Sequence, residues 1–280
     1  MENEYPLTRL CRVFEVSRSG YHAWRTRKPS ARQQANERLL AAIRQLHQGP
    51  ERCYGSPRLT PELQSLGHAC SENRVARLMQ RHGVRAQRRK RFVPRTTDSD
   101  HDQPIAPNRL AERPAPTGPN QVWVSDLTYV PTAQGWLYLA LVMDLWSRRI
   151  VGWAMADHLR SELVLAALEM AVTHRRPPKG LIVHSDRGVQ YASIDTRQFL
   201  AAHALVGSMS RAGNPYDNAW MESTIGKIKA EVLGETIPVN HPAAQQQLFA
   251  GIECWYNQRR RHSALGYQSP VAFETQFMNN

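Results

Sequence analysis

The sequence predicts an α/β protein: a mixed five-stranded sheet flanked by helices, preceded by an all-helical region of helix-turn-helix type. Three observations carry this reading. Residues 121–156 hold three β-rich runs with short turns, and two more apolar runs follow near 181 and 205 with helical stretches between them. The first third instead places its apolar residues only at helical spacing. Charge divides the chain the same way: residues 1–95 hold 20 Lys+Arg against 7 Asp+Glu, and residues 96–280 hold 16 against 17. A basic module joined to a near-neutral body is the pattern of a nucleic-acid binder. At 280 residues two or three domains are expected.

Residues 1–34 read as two short helices. Leu7, Leu10, Cys11 and Phe14 share a face, and Ser17 can cap a second helix bearing Tyr21 and Trp24. A helix-turn-helix and a plain helical hairpin fit this stretch equally well. Residues 35–95 form a better-defined unit. Leu39, Leu40, Ile43 and Leu46 mark one helix; a short helix from Pro61 to Leu66, a turn at Gly67 and "SENRVARLMQRHG" follow. In the last helix Val75, Leu78 and Met79 point inward, leaving Arg74, Arg77 and Arg81 outside as in a recognition helix, or simply as a solvated basic face. The tail "RAQRRKRFVPR" concentrates Arg88, Arg89, Lys90 and Arg91, a run that repels itself until a polyanion orders it. Residues 96–120, with five prolines and three aspartates, have linker composition.

The segment 121–235 is the catalytic-core candidate. "QVWVSDLTYV", "WLYLALVMDL" and "RRIVGWAMA" make an antiparallel meander. "SELVLAALEMAVTHR" is an amphipathic helix with Ser161 as its expected cap. A strand at 181–185, a helix near 194–203, the strand "LVGSMS" and a helix from about 215 to 233 complete the order. Residues 236–280 supply one more helix and a basic tail with Arg259, Arg260 and Arg261, either a favourable helix end or a DNA-tracking patch.

Three acids stand where acids are costly. "LIVHSDRG" drives an apolar strand straight into Asp186, and alternation puts Asp126 on one face with Val122, Val124, Thr128 and Val130. Asn214-Pro215 signals a helix start, from which Glu222 and Lys229, seven apart, project on one face together with Ile225 and Gly226, on the stripe expected to pack toward the sheet. Three converging carboxylates repel unless a hard divalent cation takes them as oxygen ligands. Two such ions can serve both the attacking and the leaving oxygen of an in-line phosphoryl substitution.

"WVSDLTYV", "HSDRGVQY" and "SRAGNPYDNAWMESTIGKIKAE" resemble the signature blocks of retroviral-integrase-like DDE transposases, with thirty-five residues between Asp186 and Glu222 and with Lys229 in place. "YGSPRLTPEL", "VARLMQRHGVRA" and "YNQRRRHSALGYQSP" resemble the second-reading-frame products of bacterial insertion sequences. The resemblance covers nearly the whole chain. It implies an RNase H-like core in which Asp126, Asp186 and Glu222 bind two Mg²⁺ ions, with Mn²⁺ able to substitute. It further implies cleavage freeing a 3′-OH at a transposon end and attack of that hydroxyl on another phosphodiester. The implied partners are the DNA ends and target DNA, further copies of the chain (at least a dimer), and an upstream-frame product.

The other polar residues have plainer readings. Lys229 suits a DNA phosphate; His184 is a core-edge histidine or acts directly; Asp217 opens a helix; Asp144 ends a strand at a turn. His47, Cys53, His68 and Cys70 lack the spacing of a zinc module, and the four cysteines form no CxxC pair. With no secretory h-region and no long apolar span, a cytoplasmic protein without membrane contact is expected. The rival functions are a DNA-binding regulator with an inert core and a nuclease that hydrolyses without joining.

Overall fold

A computed structural model describes residues 5–87, 102–111, 113–211 and 215–279. Helices α1 (Leu7–Val13) and α2 (Arg18–Thr26) come first, and Ser17 accepts the Gly20 N–H at 2.9 Å, as a cap should. Helices α3 (Ala31–Leu46), α4 (Ser56–Ser65) and α5 (Glu72–Arg81) pack around Ile43, Tyr54, Leu59, Leu63 and Val75. Helix α4 begins about one turn earlier than the sequence suggests: Pro57 already occupies the first turn, and Pro61 lies inside the helix. Arg88, Arg89, Lys90 and Arg91 fall outside the described residues.

The sheet comprises β1 (Val122–Thr132), β2 (Gly135–Asp144), β3 (Ile150–Ala156), β4 (Ile182–Ser185) and β5 (Val206–Met209), in the order β3-β2-β1-β4-β5. The first three are antiparallel neighbours; β4 and β5 add in parallel beside β1. Helices α6 (Ser161–Arg175), α7 (Val189–Ala192) and α8 (Ile194–Ala202) cover one face over Trp123, Val142, Val151 and Val183. Helices α9 (Ala219–Ile228) and α10 (His241–Phe249) cover the other, over Val122, Val124, Leu139 and Leu141. Each of these two helices runs on through a π-type stretch, Lys229–Leu233 and Ala250–Asn257, and α11 (Pro270–Met278) closes the chain. Among the described residues no helix is long and apolar enough to cross a membrane.

Three local expectations change. Ser161 does not cap α6; Arg160 holds that position without a side-chain bond. Asn214 lies outside the described residues, and Pro215 opens a 3₁₀ turn, Pro215–Asn218, so α9 itself starts at Ala219. The Pro-rich stretch is anchored over its described part: Ala106 and Leu110 pack against the two sides of the sheet, and the Arg109 N–H donates to Ser208 Oγ at 2.9 Å.

The largest correction concerns the C-terminal arginines. Arg260 is 1% exposed and clamps Glu231 with bonds of 2.7 and 2.8 Å, so it faces the interior rather than DNA. Arg261 is also turned inward, donating to Glu62 at 2.8 Å while its backbone N–H donates to the Tyr54 hydroxyl. Arg259 keeps its side chain largely exposed, with Glu51 at 3.4 Å. Together with Trp255, which sits in the helical core and donates to Glu231 at 3.0 Å, these bonds fasten α3–α5 to the sheet domain. A guanidinium at this depth needs its carboxylate: Glu231→Gln is expected to cost about 3–5 kcal/mol in urea unfolding. A loss below about 1 kcal/mol, the scale of an exposed pair, would contradict the internal role.

Candidate active site

The parallel register of β1 and β4 brings two of the three acids together. Val124 pairs with His184, so Asp126 and Asp186, each two residues further along, reach the same height on the same face. Their backbones hold them there: the Leu127 N–H donates to Asp126 Oδ1 at 2.8 Å, and the Gly188 N–H donates to Asp186 Oδ1 at 3.0 Å. Gly188 is small for a reason, because a Cβ there would lie 3.1 Å from that same Oδ1. Burial, and then the charge of Asp186, push the Asp126 carboxyl well above its ordinary value of 3.8; Glu222 adds to the rise and Lys229 opposes it.

Glu222 stands apart from the expected stripe. The buried residues of α9 are Met221, Thr224, Ile225 and Ile228, whereas Glu222 and Gly226 are exposed on its flank. Packing favours the four larger or apolar groups, and the carboxylate turns to solvent, where its charge still reaches Asp126. Among the described residues no three acids, histidines or cysteines are drawn close enough to hold an ion as they stand. The donor chemistry nevertheless suits a hard cation, since all three groups offer only carboxylate oxygens. Lys229 is half-buried with its ammonium 5.6 Å from the Tyr129 ring.

Polar residues that sequence reasoning did not single out surround the pair. The Tyr191 hydroxyl bonds Ser125 Oγ at 2.8 Å, and burial with the charges of Asp126 and Asp186 drives its pKa up. Asn218 donates from Nδ2 to the Ser125 carbonyl at 3.2 Å, tying the start of α9 to β1; its buried Oδ1 has no partner among the described residues. Asn218 could have been found one helical turn before Glu222, but Ser125 and Tyr191 carry no pattern of their own.

His184 is fully buried between Ser208 Oγ (2.9 Å) and Ser210 Oγ (3.2 Å), and burial lowers its pKa. Asp217 accepts from Arg211, by backbone and side chain, and from Asn108 at 2.9 Å; the Arg211 bonds hold its pKa at about 2. Asp144 is the expected turn residue, accepting the Trp146 and Ser147 N–H groups at 3.0 and 2.9 Å. On α5, Arg77 and Arg81 are exposed, whereas Arg74 turns aside to Asn36 at 2.9 Å.

A five-stranded mixed sheet with one acid within β1 and a second just past the end of the adjacent parallel β4, joined to a basic helical module, defines an integrase-type enzyme that acts on DNA. Residues 116–215 and 205–270 match the integrase core domain family, and residues 34–92 match an HTH-like domain. The chain is 46% identical to a 31-kDa protein of insertion element IS600 from Shigella sonnei, over 96% of this chain and 98% of that one. It is 39% identical to transposase InsF for insertion sequence IS3A from Escherichia coli K12, over 97% and 94%. The catalytic core domain of HTLV-2 integrase, solved with magnesium, is similar with 18% identity and a TM-score of 0.44, covering 56% of this chain and 98% of that one. This chain belongs to the IS3 family of insertion-sequence transposases.

The raised pKa of Asp126 has a consequence for stability. An acid that holds its proton more tightly when folded favours the folded state at low pH, and this contribution is lost as pH rises from about 4 through the raised value. In buffer without divalent ions, Asp186→Asn is therefore expected to raise Tm at pH 7 by about 2–4 °C, the shift that ~1 kcal/mol gives in a chain of this size. The gain should vanish near pH 4. A Tm that falls at pH 7 would contradict the repulsion between the two carboxylates.

Proposed function

We propose that the chain cleaves DNA at the ends of an insertion sequence to free a 3′-OH and joins that end to a second phosphodiester. The observation that carries this reading is the β1–β4 register, which sets Asp126 and Asp186 side by side, with Glu222 within electrostatic reach on α9. These three carboxylates are the proposed ligands of two Mg²⁺ ions, or of Mn²⁺ in their place. Bound metal would supply activation of the attacking oxygen and charge stabilisation at the leaving oxygen.

The chain's own residues have the remaining tasks. Backbone N–H groups of Leu127 and Gly188 orient the two aspartates. Lys229 offers a cation beside them, suited to a phosphate next to the one that reacts. Arg77 and Arg81 on the exposed face of α5, with Arg88, Arg89, Lys90 and Arg91 after it and Arg259 near the C-terminus, are the proposed DNA-tracking cations; Arg74 contributes through its hold on Asn36. Action on two DNA ends favours at least a dimer, with association or fusion to an upstream-frame product and a cytoplasmic setting as the fitting context.

With a labelled end duplex and Mg²⁺ or Mn²⁺, Asp126→Asn, Asp186→Asn and Glu222→Gln should each reduce cleavage and joining to assay background while duplex binding stays within about threefold (~0.7 kcal/mol). Wild-type joining by any one of the three removes that residue from the site.

A further inference from the structure

On the opposite flank of α9 lies a cationic pocket that the catalytic reading does not use. Its volume is about 490 Å³, and Arg58 of α4, Arg148 of the β2–β3 turn, Lys227 and Ser223 of α9, Trp220 and His262 line it. Positions 220, 223 and 227 form one stripe of the helix, whereas 222 and 229 lie on another. The two sites therefore face different directions.

Among the described residues, Arg58, Arg148 and Lys227 make no ion pair with a carboxylate. The nearby Glu231 is already engaged by Arg260 and Trp255. His262 supplies no further charge: burial and the surrounding cations hold it at about 2, and its Nε2 lies 3.3 Å from Arg260. Burial and the neighbouring arginines also lower Lys227 to about 8. Arg148 adopts φ of 61°, a left-handed conformation unfavourable for a side chain of this size, and its guanidinium stands 6.0 Å from the Trp220 ring. Three cations from three separate elements are thus gathered against their mutual repulsion, one on a strained backbone, around a space edged by an indole.

We propose that this pocket binds a backbone phosphate of a DNA strand, at a position remote from the reacting phosphodiester. A phosphate accepts from guanidinium and ammonium donors together with the Ser223 hydroxyl. Trp220 is 39% exposed at the rim, where it can stack on an adjacent base or sugar, and this favours a nucleic-acid strand over free phosphate. The strand's identity as DNA rests on the function proposed above; the phosphate chemistry does not.

The test uses the full chain and two probes: a short fluorescent duplex titrated at several salt concentrations, and inorganic phosphate titrated by calorimetry. The R148Q/K227Q variant should show a salt slope shallower by about 0.9, the value of the one phosphate contact removed, and should lose the phosphate heat. Trp220→Ala should weaken duplex binding severalfold and leave the phosphate heat intact. Neither variant should fall below the wild-type Tm, R148Q/K227Q rising slightly as the repulsion is relieved, and the charge-preserving R148K/K227R should restore most of the slope. Lost phosphate heat with an unchanged duplex slope would keep the phosphate chemistry and overturn the DNA assignment. Unchanged slope and unchanged heat would overturn the proposal altogether. Asp186→Asn should retain the wild-type slope while losing cleavage, so failure of the pocket and failure of the active site are separately visible.

Discussion

Parallel pairing of β1 with β4 decides where negative charge collects in this protein. On the other side of β1, antiparallel β2 sets Leu141 opposite Asp126, so the second carboxylate comes from the β4 side. With both strands pointing the same way, acids two residues beyond a paired Val124 and His184 meet side by side. The backbone beneath is rigid: Trp123, Val124 and His184 are fully buried. The carboxylates cannot retreat from one another by moving the strands. Their repulsion is consequently a built-in feature of the fold, and it rewards any cation that enters.

The positive charge is arranged with similar economy, though not where its density in the chain suggests. Arginines of the C-terminal cluster divide into an exposed member, Arg259, and two inward members that hold domains together. The Glu231–Arg260 pair is buried and bidentate, and Trp255 completes the acceptor shell of the carboxylate. Such a joint fixes how the helical module sits against the sheet, which matters if both are to engage one DNA molecule. Arg58 and Arg148, brought together across that same joint, show that the arrangement also creates a surface neither module has alone.

Much of this was legible in the residues. Strands β1 to β5 follow from continuous or alternating apolar runs, and α6 and α8 from their spacing. Asp126 and Asp186 are legible because an acid within the apolar face of a core strand, or directly after one, is costly. Glu222 lies on α9 as its spacing indicates but off the packing stripe, since periodicity alone does not say which of two adjoining stripes meets the sheet; Met221 and Ile225 take that role. Helix α11 carries its apolar groups without a clear stripe, so spacing does not reveal it. Burial of Arg260 and Arg261 was hidden because their partners, Glu231 and Glu62, are remote in sequence. The cationic pocket was hidden for the same reason.

In the proposed site, carboxylates at positions 126, 186 and 222 act as one ligand set for divalent metal. Carboxyl carbon resonances of the three residues, followed by NMR as trace Mn²⁺ is added, report on that shared binding. All three should broaden together at the same low Mn²⁺ concentration and sharpen again when excess Mg²⁺ is supplied. Broadening of Asp126 and Asp186 with Glu222 unaffected, or broadening that Mg²⁺ does not reverse, would contradict it.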